Sequence, residues 1–348
     1  MIALDAMGGD YGPSVTVHGA IHAAKKGIPV GLFGDESQLY PLLNAADSQW
    51  RSYPISIFHC SETIAMGDEP TRSILKKTDA SLVRALHAVA QGQATAVVSA
   101  GNSGAALVGG ILGLGRVPGV HRPALGNSIP TTTGSLFCID LGANADCKPE
   151  FLSQFALMGY VYVKMQGVDN PRIALLSNGA EPYKGSQLIQ ETFDLLSRMP
   201  INFVGNLESR DIFDGHADVL VCDGFTGNIM LKAVQGAAKT VSSWIGHEIG
   251  RLPWYRKIGA ALLKPAFSQV KHKINYADKG GALLLGLNHP LIVAHGCASA
   301  AAIERAIVFA HEVTYNGFLA RFNAELGELI SLASTTSAES NIQSETNL

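Results

Sequence analysis

Short apolar runs alternate with longer stretches of helical periodicity along most of this chain. The short runs have the length of β-strands, and in the longer stretches apolar residues recur every three or four positions. Because parallel strands need crossover connections, this alternation predicts a doubly wound, mainly parallel sheet with helices on both faces. The predicted strands are 2–6, 29–33, 55–59, 94–99, 135–140, 172–176, 201–204 and 218–222. The predicted helices are 13–26, 72–91, 149–165, 185–198, 226–250 and 300–322.

Composition narrows the class of protein. Of the 348 residues, 47% are hydrophobic and 16% are charged, which is typical of a packed globular chain. The formal charge of −3 excludes a general basic surface for nucleic acid. The five cysteines form no CxxC pair and suit a reducing cytoplasm. The chain opens without a secretory signal and has no apolar stretch of membrane-spanning length.

Four glycine-containing loops follow predicted strands, where ligands bind in open parallel sheets. Glycine allows a close approach of backbone to ligand, and the helix that follows supplies free N–H groups for an anion such as phosphate. In the fourth loop, Asp223 and Thr226 could equally be helix caps, but four similar loops favour ligand binding. The loops are 5–10, 99–104, 177–185 and 223–228, called the first to fourth loops below.

Several catalytic and nucleotide-binding motifs are absent from the sequence. There is no Walker A motif, no GxGxxG after a strand, no GxSxG elbow and no HExxH. An acyl-enzyme mechanism on Ser or Cys therefore has no support, and we predict neither a metal nor a cofactor.

A basic segment at 251–279 contains seven basic residues and one acidic residue, a net charge of +6. Its apolar residues fall at helical spacing, so the segment is typical of a basic amphipathic helix that binds an anionic membrane or an acidic protein. Alternatively, its apolar stripe packs on the core or on a second copy of the chain, and both interpretations can hold together. The predicted contact residues are Arg256, Lys257, Lys264, Lys271 and Lys273.

Read in order, nine short segments make the chain similar to the bacterial phosphate acyltransferase family, the fatty acyl–acyl-carrier-protein:phosphate transacylases called PlsX. The similarity extends from residue 1 to about residue 325. The segments are 5–10, 68–70 with Arg72, 99–105, 122–125, 140–144, 205–211, 222–228, 280–282 and 295–296.

The resemblance implies a fold related to isopropylmalate and isocitrate dehydrogenases and to phosphotransacetylase. We expect one two-lobed domain over 1–330 and a disordered tail over 331–348, which is rich in polar residues. The implied activity is transfer of a long fatty acyl chain from acyl carrier protein to inorganic phosphate. The implied partners are a second copy of the chain and the membrane glycerol-3-phosphate acyltransferase that uses the acyl phosphate. The implied location of the chain is the cytoplasm, in peripheral association with the inner face of the cell membrane.

Such a reaction must bind phosphate, stabilise an oxyanion and release a thiolate. We predict that the second loop binds phosphate, with Asn228 opposite, that Lys184 supplies charge, and that Asp223 orients or deprotonates phosphate. The predicted phosphate-binding residues are Ser99, Gly101, Asn102, Ser103 and Gly104, and the predicted catalytic residues are Asp223, Lys184 and Asn228. Further candidates are Asp10, Arg122, Asn144, Thr226 and His295. The alternative role of Arg122 is to fix a turn before Pro123, and the alternative for His295 is a structural role.

Three other functions remain open at this point. A short-chain phosphotransacetylase would use coenzyme A as the acyl carrier. A decarboxylating dehydrogenase would need a metal held by clustered aspartates, and no such close pair recurs at a strand end. A membrane-surface scaffold for lipid enzymes would need no catalytic residue at all.

Overall fold

One sheet of eleven strands forms the centre of the molecule in a computed structural model of the chain. The structure describes residues 1–253, 259, 262–263, 265–266, 280–315 and 317–346, with side chains described as far as residue 332. The strands are β1 (Ile2–Asp5), β2 (Val30–Gly34), β3 (Ile55–His59), β4 (Ala96–Ser99), β5 (Ala124–Pro130), β6 (Ser135–Ile139), β7 (Ile173–Ser177), β8 (Phe203–Glu208), β9 (Val219–Val221), β10 (Ala282–Leu285) and β11 (Leu291–Val293).

Helices connect these strands. A π-helical turn, Gly110–Leu114, continues the fifth helix, and a short 3-10 helix covers Trp50–Ser52. The α-helices are α1 (Pro13–Lys25), α2 (Glu36–Ala46), α3 (Pro70–Lys76), α4 (Ser81–Ala90), α5 (Ser103–Gly109), α6 (Pro149–Lys164), α7 (Gln187–Leu196), α8 (Gly224–Arg251), α9 (Ala300–Tyr315) and α10 (Phe318–Thr346).

The strand order is β3-β2-β1-β4-β11-β10-β5-β6-β9-β7-β8. Strands β3, β2, β1, β4 and β11 are parallel to one another, and so are β6, β9, β7 and β8. Between the two groups, β10 and β5 pair antiparallel with their neighbours. The two parallel groups therefore run in opposite directions, and the predicted, mainly parallel sheet is confirmed.

Both faces of the sheet are buried, because the side chains of each central strand alternate between two apolar clusters. In β1, Ile2 and Leu4 belong to one cluster and Ala3 to the other. In β9, Val219 lies in the first cluster and Leu220 in the second. This arrangement confirms the doubly wound architecture, with helices on both faces.

Two predicted helices prove to be pairs of helices. The prediction of one helix over 72–91 is wrong, because the chain leaves the helix between α3 and α4. There Asp79 accepts hydrogen bonds from the backbone N–H (2.8 Å) and the hydroxyl (2.7 Å) of Ser61. The prediction of one helix over 300–322 is also wrong, because Gly317 takes a positive φ of 60° between α9 and α10.

The helix α10 includes residues 331–346, for which composition predicts a disordered tail. The division into a domain at 1–330 and a tail stays a prediction. Within the described part of the chain, no helix has both the length and the hydrophobicity required to cross a membrane.

Candidate active site

One buried carboxylate, Asp5, joins the first and second loops. The Ser81 hydroxyl donates to one of its oxygens (2.6 Å), and the Ser99 hydroxyl donates to the other (2.7 Å). The Ser99 oxygen in turn accepts the backbone N–H of Gly101 (3.1 Å). Burial raises the pKa of Asp5, and the two hydroxyl donors act in the opposite direction. The Ser99 hydroxyl, predicted to bind phosphate, is thus engaged in shaping the second loop.

The Asn102 side chain also has structural partners. Its oxygen caps α5 by accepting the N–H of Ala105 (3.0 Å), and its amide donates to the carbonyls of Met66 (3.1 Å) and Asp68 (3.0 Å). The backbone N–H groups of residues 103 and 104 have no hydrogen-bond partner among the described residues. These two N–H groups and the exposed side chain of residue 103 are therefore the donors that the second loop offers to an anion.

The structure brings together two predicted candidates, Asp10 and His295, beside the second loop. The backbone N–H of Asp10 donates to the carbonyl of Gly296 (2.8 Å), and the N–H of Ala294 donates to the carbonyl of Ser99 (2.8 Å). Both the Asp10 and His295 side chains are exposed. We call the first loop, the second loop and residues 294–297 the first loop group.

A second buried carboxylate, Asp140, organises the loops of the opposite group of strands. It accepts the N–H groups of Leu125 (3.0 Å), Gly142 (3.1 Å), Ala143 (3.0 Å) and Asn144 (2.7 Å), and the Asn144 side-chain amide (2.9 Å). Burial raises the pKa of Asp140, and these donors oppose the rise. Asn144, a predicted site residue, therefore stabilises the loop after β6.

The fourth loop begins α8 directly beside Asp140. Asp223 caps the helix, because its two oxygens accept the N–H (2.8 Å) and the hydroxyl (2.7 Å) of Thr226. The backbone of Gly227 lies so close to Asp140 that an added Cβ would be 2.0 Å from the Asp140 carbonyl oxygen. Asn228 lies against Gly142, where a Cβ would be 3.5 Å from the Asn228 side chain.

Lys184 lies in the third loop, which follows β7, the strand next to β9. Its backbone N–H donates to the carbonyl of Glu181 (3.0 Å), and its side-chain stem lies over Gly179. Its ammonium lies 5.7 Å from the centre of the Tyr183 ring and forms no ion pair with a described residue. The exposed guanidinium of Arg122 lies 5.8 Å from the Phe151 ring centre. The residues 140–144, Arg122 and the third and fourth loops form what we call the second loop group.

The twist of the sheet and helix α8 relate the two loop groups to each other. Neighbouring strands rotate by roughly 20–25°, so the six steps from β1 to β9 rotate the strand direction by about 120–150°. After this rotation two oppositely directed strands point to within about 30–60° of the same direction, so their carboxyl ends lie at the same end of the sheet. A hydrogen bond of 3.2 Å between Gln235 of α8 and His295 then links the groups directly. Asn228 lies two helical turns before Gln235, and its side chain lies against Gly142 of the second loop group.

In the ranges that the structure describes, no cluster of three or more His, Cys, Asp or Glu side chains could hold a metal ion. Burial raises the pKa of Cys147 to about 12, so this thiol beside Asn144 stays protonated near neutral pH. The predicted membrane or carrier contacts Arg256, Lys257, Lys264, Lys271 and Lys273 lie outside the described residues.

Sequence comparison identifies the family to which this chain belongs. A family profile described as "Fatty acid synthesis protein" matches residues 1–321. The chain belongs to this fatty acid synthesis protein family. A protein named phosphate acyltransferase from Citrifermentans bemidjiense is 43% identical over 329 residues, covering 94% of this chain and 93% of that protein. A phosphate acyltransferase from Leptospira biflexa is 42% identical over 332 residues, covering 94% of this chain and 97% of that protein.

Solved structures agree with the fold of this family member. A phosphotransacetylase from Streptococcus pyogenes superposes with a TM-score of 0.54 at 15% identity, covering 90% of this chain and 93% of that one. The EutD phosphotransacetylase from Staphylococcus aureus gives a TM-score of 0.52 at 15% identity, covering 89% and 93%. At this level of identity the comparison establishes the shared fold.

Proposed function

We propose that this chain is a phosphate acyltransferase, an enzyme that transfers a long-chain fatty acyl group from acyl-acyl carrier protein to inorganic phosphate. The observation that carries the proposal is the 42–43% identity, over more than nine-tenths of the chain, to proteins named phosphate acyltransferase. The acyl phosphate product would supply phospholipid synthesis through a membrane glycerol-3-phosphate acyltransferase. No cofactor is part of the proposed reaction.

In the proposed reaction an oxygen of phosphate attacks the thioester carbonyl carbon. The new C–O bond forms, the C–S bond breaks, and the thiolate leaves and takes up a proton. The phosphate would be held by the free N–H groups of Ser103 and Gly104 and by the Ser103 hydroxyl. Asp5 supports this arrangement indirectly, because it fixes the Ser99 hydroxyl that holds the Gly101 N–H.

The second loop group would stabilise the developing oxyanion. The Lys184 ammonium, which forms no ion pair with a described residue, supplies positive charge, and the Asn228 amide supplies a hydrogen-bond donor. Asp223 would orient or deprotonate phosphate; the helix cap uses one hydrogen bond at each carboxylate oxygen, so each oxygen keeps acceptor capacity. The exposed Arg122 guanidinium is a further cation of the second loop group available to an anionic substrate.

The activity is tested by trapping acyl phosphate with hydroxylamine. Purified protein is mixed with phosphate and palmitoyl–acyl carrier protein, or with palmitoyl-coenzyme A, and a phosphate-free reaction corrects for direct attack on the thioester. We expect a phosphate-dependent product from the carrier-protein donor. Lys184→Ala is expected to lower kcat by about a hundredfold, because it removes a charge that stabilises the transition state. Lys26→Ala, which removes an exposed lysine near the end of α1, serves as the matched control.

The alternative functions give different results in the same experiment. Product from coenzyme A alone would replace our proposal with a short-chain type of phosphotransacetylase. A reaction that needs NAD and a divalent metal would indicate a dehydrogenase. Membrane binding without any turnover, unchanged in Lys184→Ala, would indicate a scaffold.

We also propose a homodimer that associates peripherally with the cytoplasmic face of the membrane. Apolar side chains on α8, including Ile229, Val241 and Trp244, are 49–66% exposed in the single chain, which supports burial against a second copy. Analytical ultracentrifugation is expected to show a dimer that Trp244→Glu weakens, and a monomeric wild-type protein would refute it.

The +6 charge of residues 251–279 supports binding to acidic carrier protein and anionic lipid. Replacing Arg256, Lys271 and Lys273 together by Glu is expected to raise KM for the carrier protein or to release the protein from anionic vesicles. Unchanged values for both would reject this part of the proposal.

A further inference from the structure

Gln235 and His295 make a contact that none of the assigned roles explains. The Gln235 side-chain nitrogen lies 3.2 Å from Nε2 of His295. Among the hydrogen bonds and ion pairs of described residues, this is the one that connects a side chain of α8 to the first loop group. Its position suggests a role in setting the distance between the two loop groups.

On α8, Gln235 lies on the same face of the helix as the predicted catalytic residue Asn228. Asn228 and Gln235 are seven residues apart, which is almost two full turns, so both lie on one face and about 10 Å apart along the axis. Between these two residues in the sequence, Leu231 and Val234 pack against the apolar core. A shift of α8 at Gln235 would therefore move Asn228 as well.

Gln235 is also where α8 leaves the body of the molecule. Every residue from 236 to 248 is exposed in the single chain, and a Cβ at Gly236 would meet no atom within 4 Å. Without the contact to His295, the last attachments of α8 to the body among the described residues would be those of Leu231 and Val234. The hydrogen bond thus restrains the helix at the end of its packed portion.

On the other side, His295 is fixed to the predicted phosphate-binding loops. The N–H of Ala294 donates to the carbonyl of Ser99, and the carbonyl of Gly296 accepts the N–H of Asp10, both at 2.8 Å. The position of His295 therefore follows that of the second loop.

We propose that Gln235 is a positioning residue, which acts through His295 to hold the helix carrying Asn228 at a fixed distance from the phosphate-binding loop. This inference rests on the proposed function. Glutamine suits the task, because its amide has both a donor and an acceptor and can pair with an imidazole in either tautomer. The consequence is a specific kinetic effect. Misplacing reacting groups by about 1 Å can cost a hundredfold in rate, whereas the phosphate loop itself stays intact.

The kinetic test measures kcat and phosphate KM by hydroxamate trapping in Gln235→Ala, His295→Ala and the double variant. We expect Gln235→Ala to lower kcat by about tenfold to a hundredfold while phosphate KM stays within about twofold. In the His295→Ala background the same change should cause no further loss. Gln93→Ala is the matched control, since Gln93 is exposed and remote from the cleft in sequence and fold. The inference would be overturned if Gln235→Ala had the same kcat as this control. It would also be overturned if Gln235→Ala lowered kcat by the same factor in the wild-type and His295→Ala backgrounds.

A second measurement needs no catalysis. Amide hydrogen exchange on the substrate-free protein should show faster exchange in residues 294–298 of Gln235→Ala than in wild type or Gln93→Ala. Unchanged exchange there would also overturn the inference. If the wild-type protein makes no acyl phosphate, the proposed function fails, while this exchange measurement still decides whether the two loop groups are linked.

Discussion

The close contact between α8 and the loop after β6 leads to the sharpest prediction about this site. In Gly227→Ala the new methyl carbon would lie 2.0 Å from the Asp140 carbonyl oxygen and 2.8 Å from Cys222 Sγ. Ordinary contacts begin at 3.4 Å, so the helix start must move away by about 1.4 Å. Overpacking of this kind costs about 1–3 kcal/mol, and the better helix propensity of alanine returns about 0.5–1 kcal/mol. We expect a net loss of about 1 kcal/mol in the free energy of unfolding.

The same substitution at Gly236 is a matched control on the same helix, because a Cβ there meets no atom within 4 Å. Gly236→Ala should stabilise the protein by about 0.5–1 kcal/mol. Urea unfolding measures both free energies, and trapped hydroxamate measures the rate. Since Asn228 directly follows Gly227, we expect Gly227→Ala to lose about a hundredfold in kcat. Equal stability and activity in the two variants would refute the close packing of α8 on Asp140.

Two further predictions concern buried or partly buried carboxylates. Asp218 accepts two side-chain hydrogen bonds from Arg172 (3.0 and 2.8 Å), which lower the pKa of Asp218, so Asp218→Asn should cost about 1–2 kcal/mol at pH 7. The folded-state pKa of Asp218 lies below its unfolded value, so this stabilisation is present above about pH 4 and is lost as the pH falls further. Urea titrations of wild type and Asp218→Asn should therefore show a smaller difference in the free energy of unfolding at pH 3 than at pH 7. Asp5→Asn removes the acceptor of the Ser81 or the Ser99 hydroxyl and should raise phosphate KM about tenfold. Asp194→Asn, at an exposed position, is the control, and an unchanged KM in Asp5→Asn would show that Asp5 does not support phosphate binding.

Periodicity was sufficient for much of the fold. The predicted strand 55–59 matches β3 at both ends, and the helices predicted at 13–26 and 149–165 match α1 and α6 to within one residue. Strands β5, β10 and β11 are absent from the prediction. β10 and β5 lie between the two parallel groups, and β11 pairs with β10 and β4. Distant parts of the chain therefore determine these strands, and local periodicity carries little information about such pairing.

The candidate site shows the same limit. The positions of the loops after strands were predictable, because that rule depends on strand direction alone. The partners of each side chain were not, since Asn102 and Asp223 satisfy local backbone groups as helix caps. Asp5 is not among the predicted site residues, although a carboxylate that ends an apolar strand is a signal that the sequence contains. Gln235 has no such signal, because its partner is 60 residues away in the sequence.

The most direct test of the central claim is to observe the acyl phosphate bond itself. Wild-type protein is incubated with phosphate and palmitoyl–acyl carrier protein labelled with ¹³C at the carbonyl, and the mixture is followed by ³¹P and ¹³C NMR. The account predicts a new phosphorus resonance coupled to the labelled carbonyl, growing as carrier-protein thiol is released in equal amount, and strongly reduced in Lys184→Ala. Release of thiol with free fatty acid and no phosphorus-coupled carbonyl would contradict it.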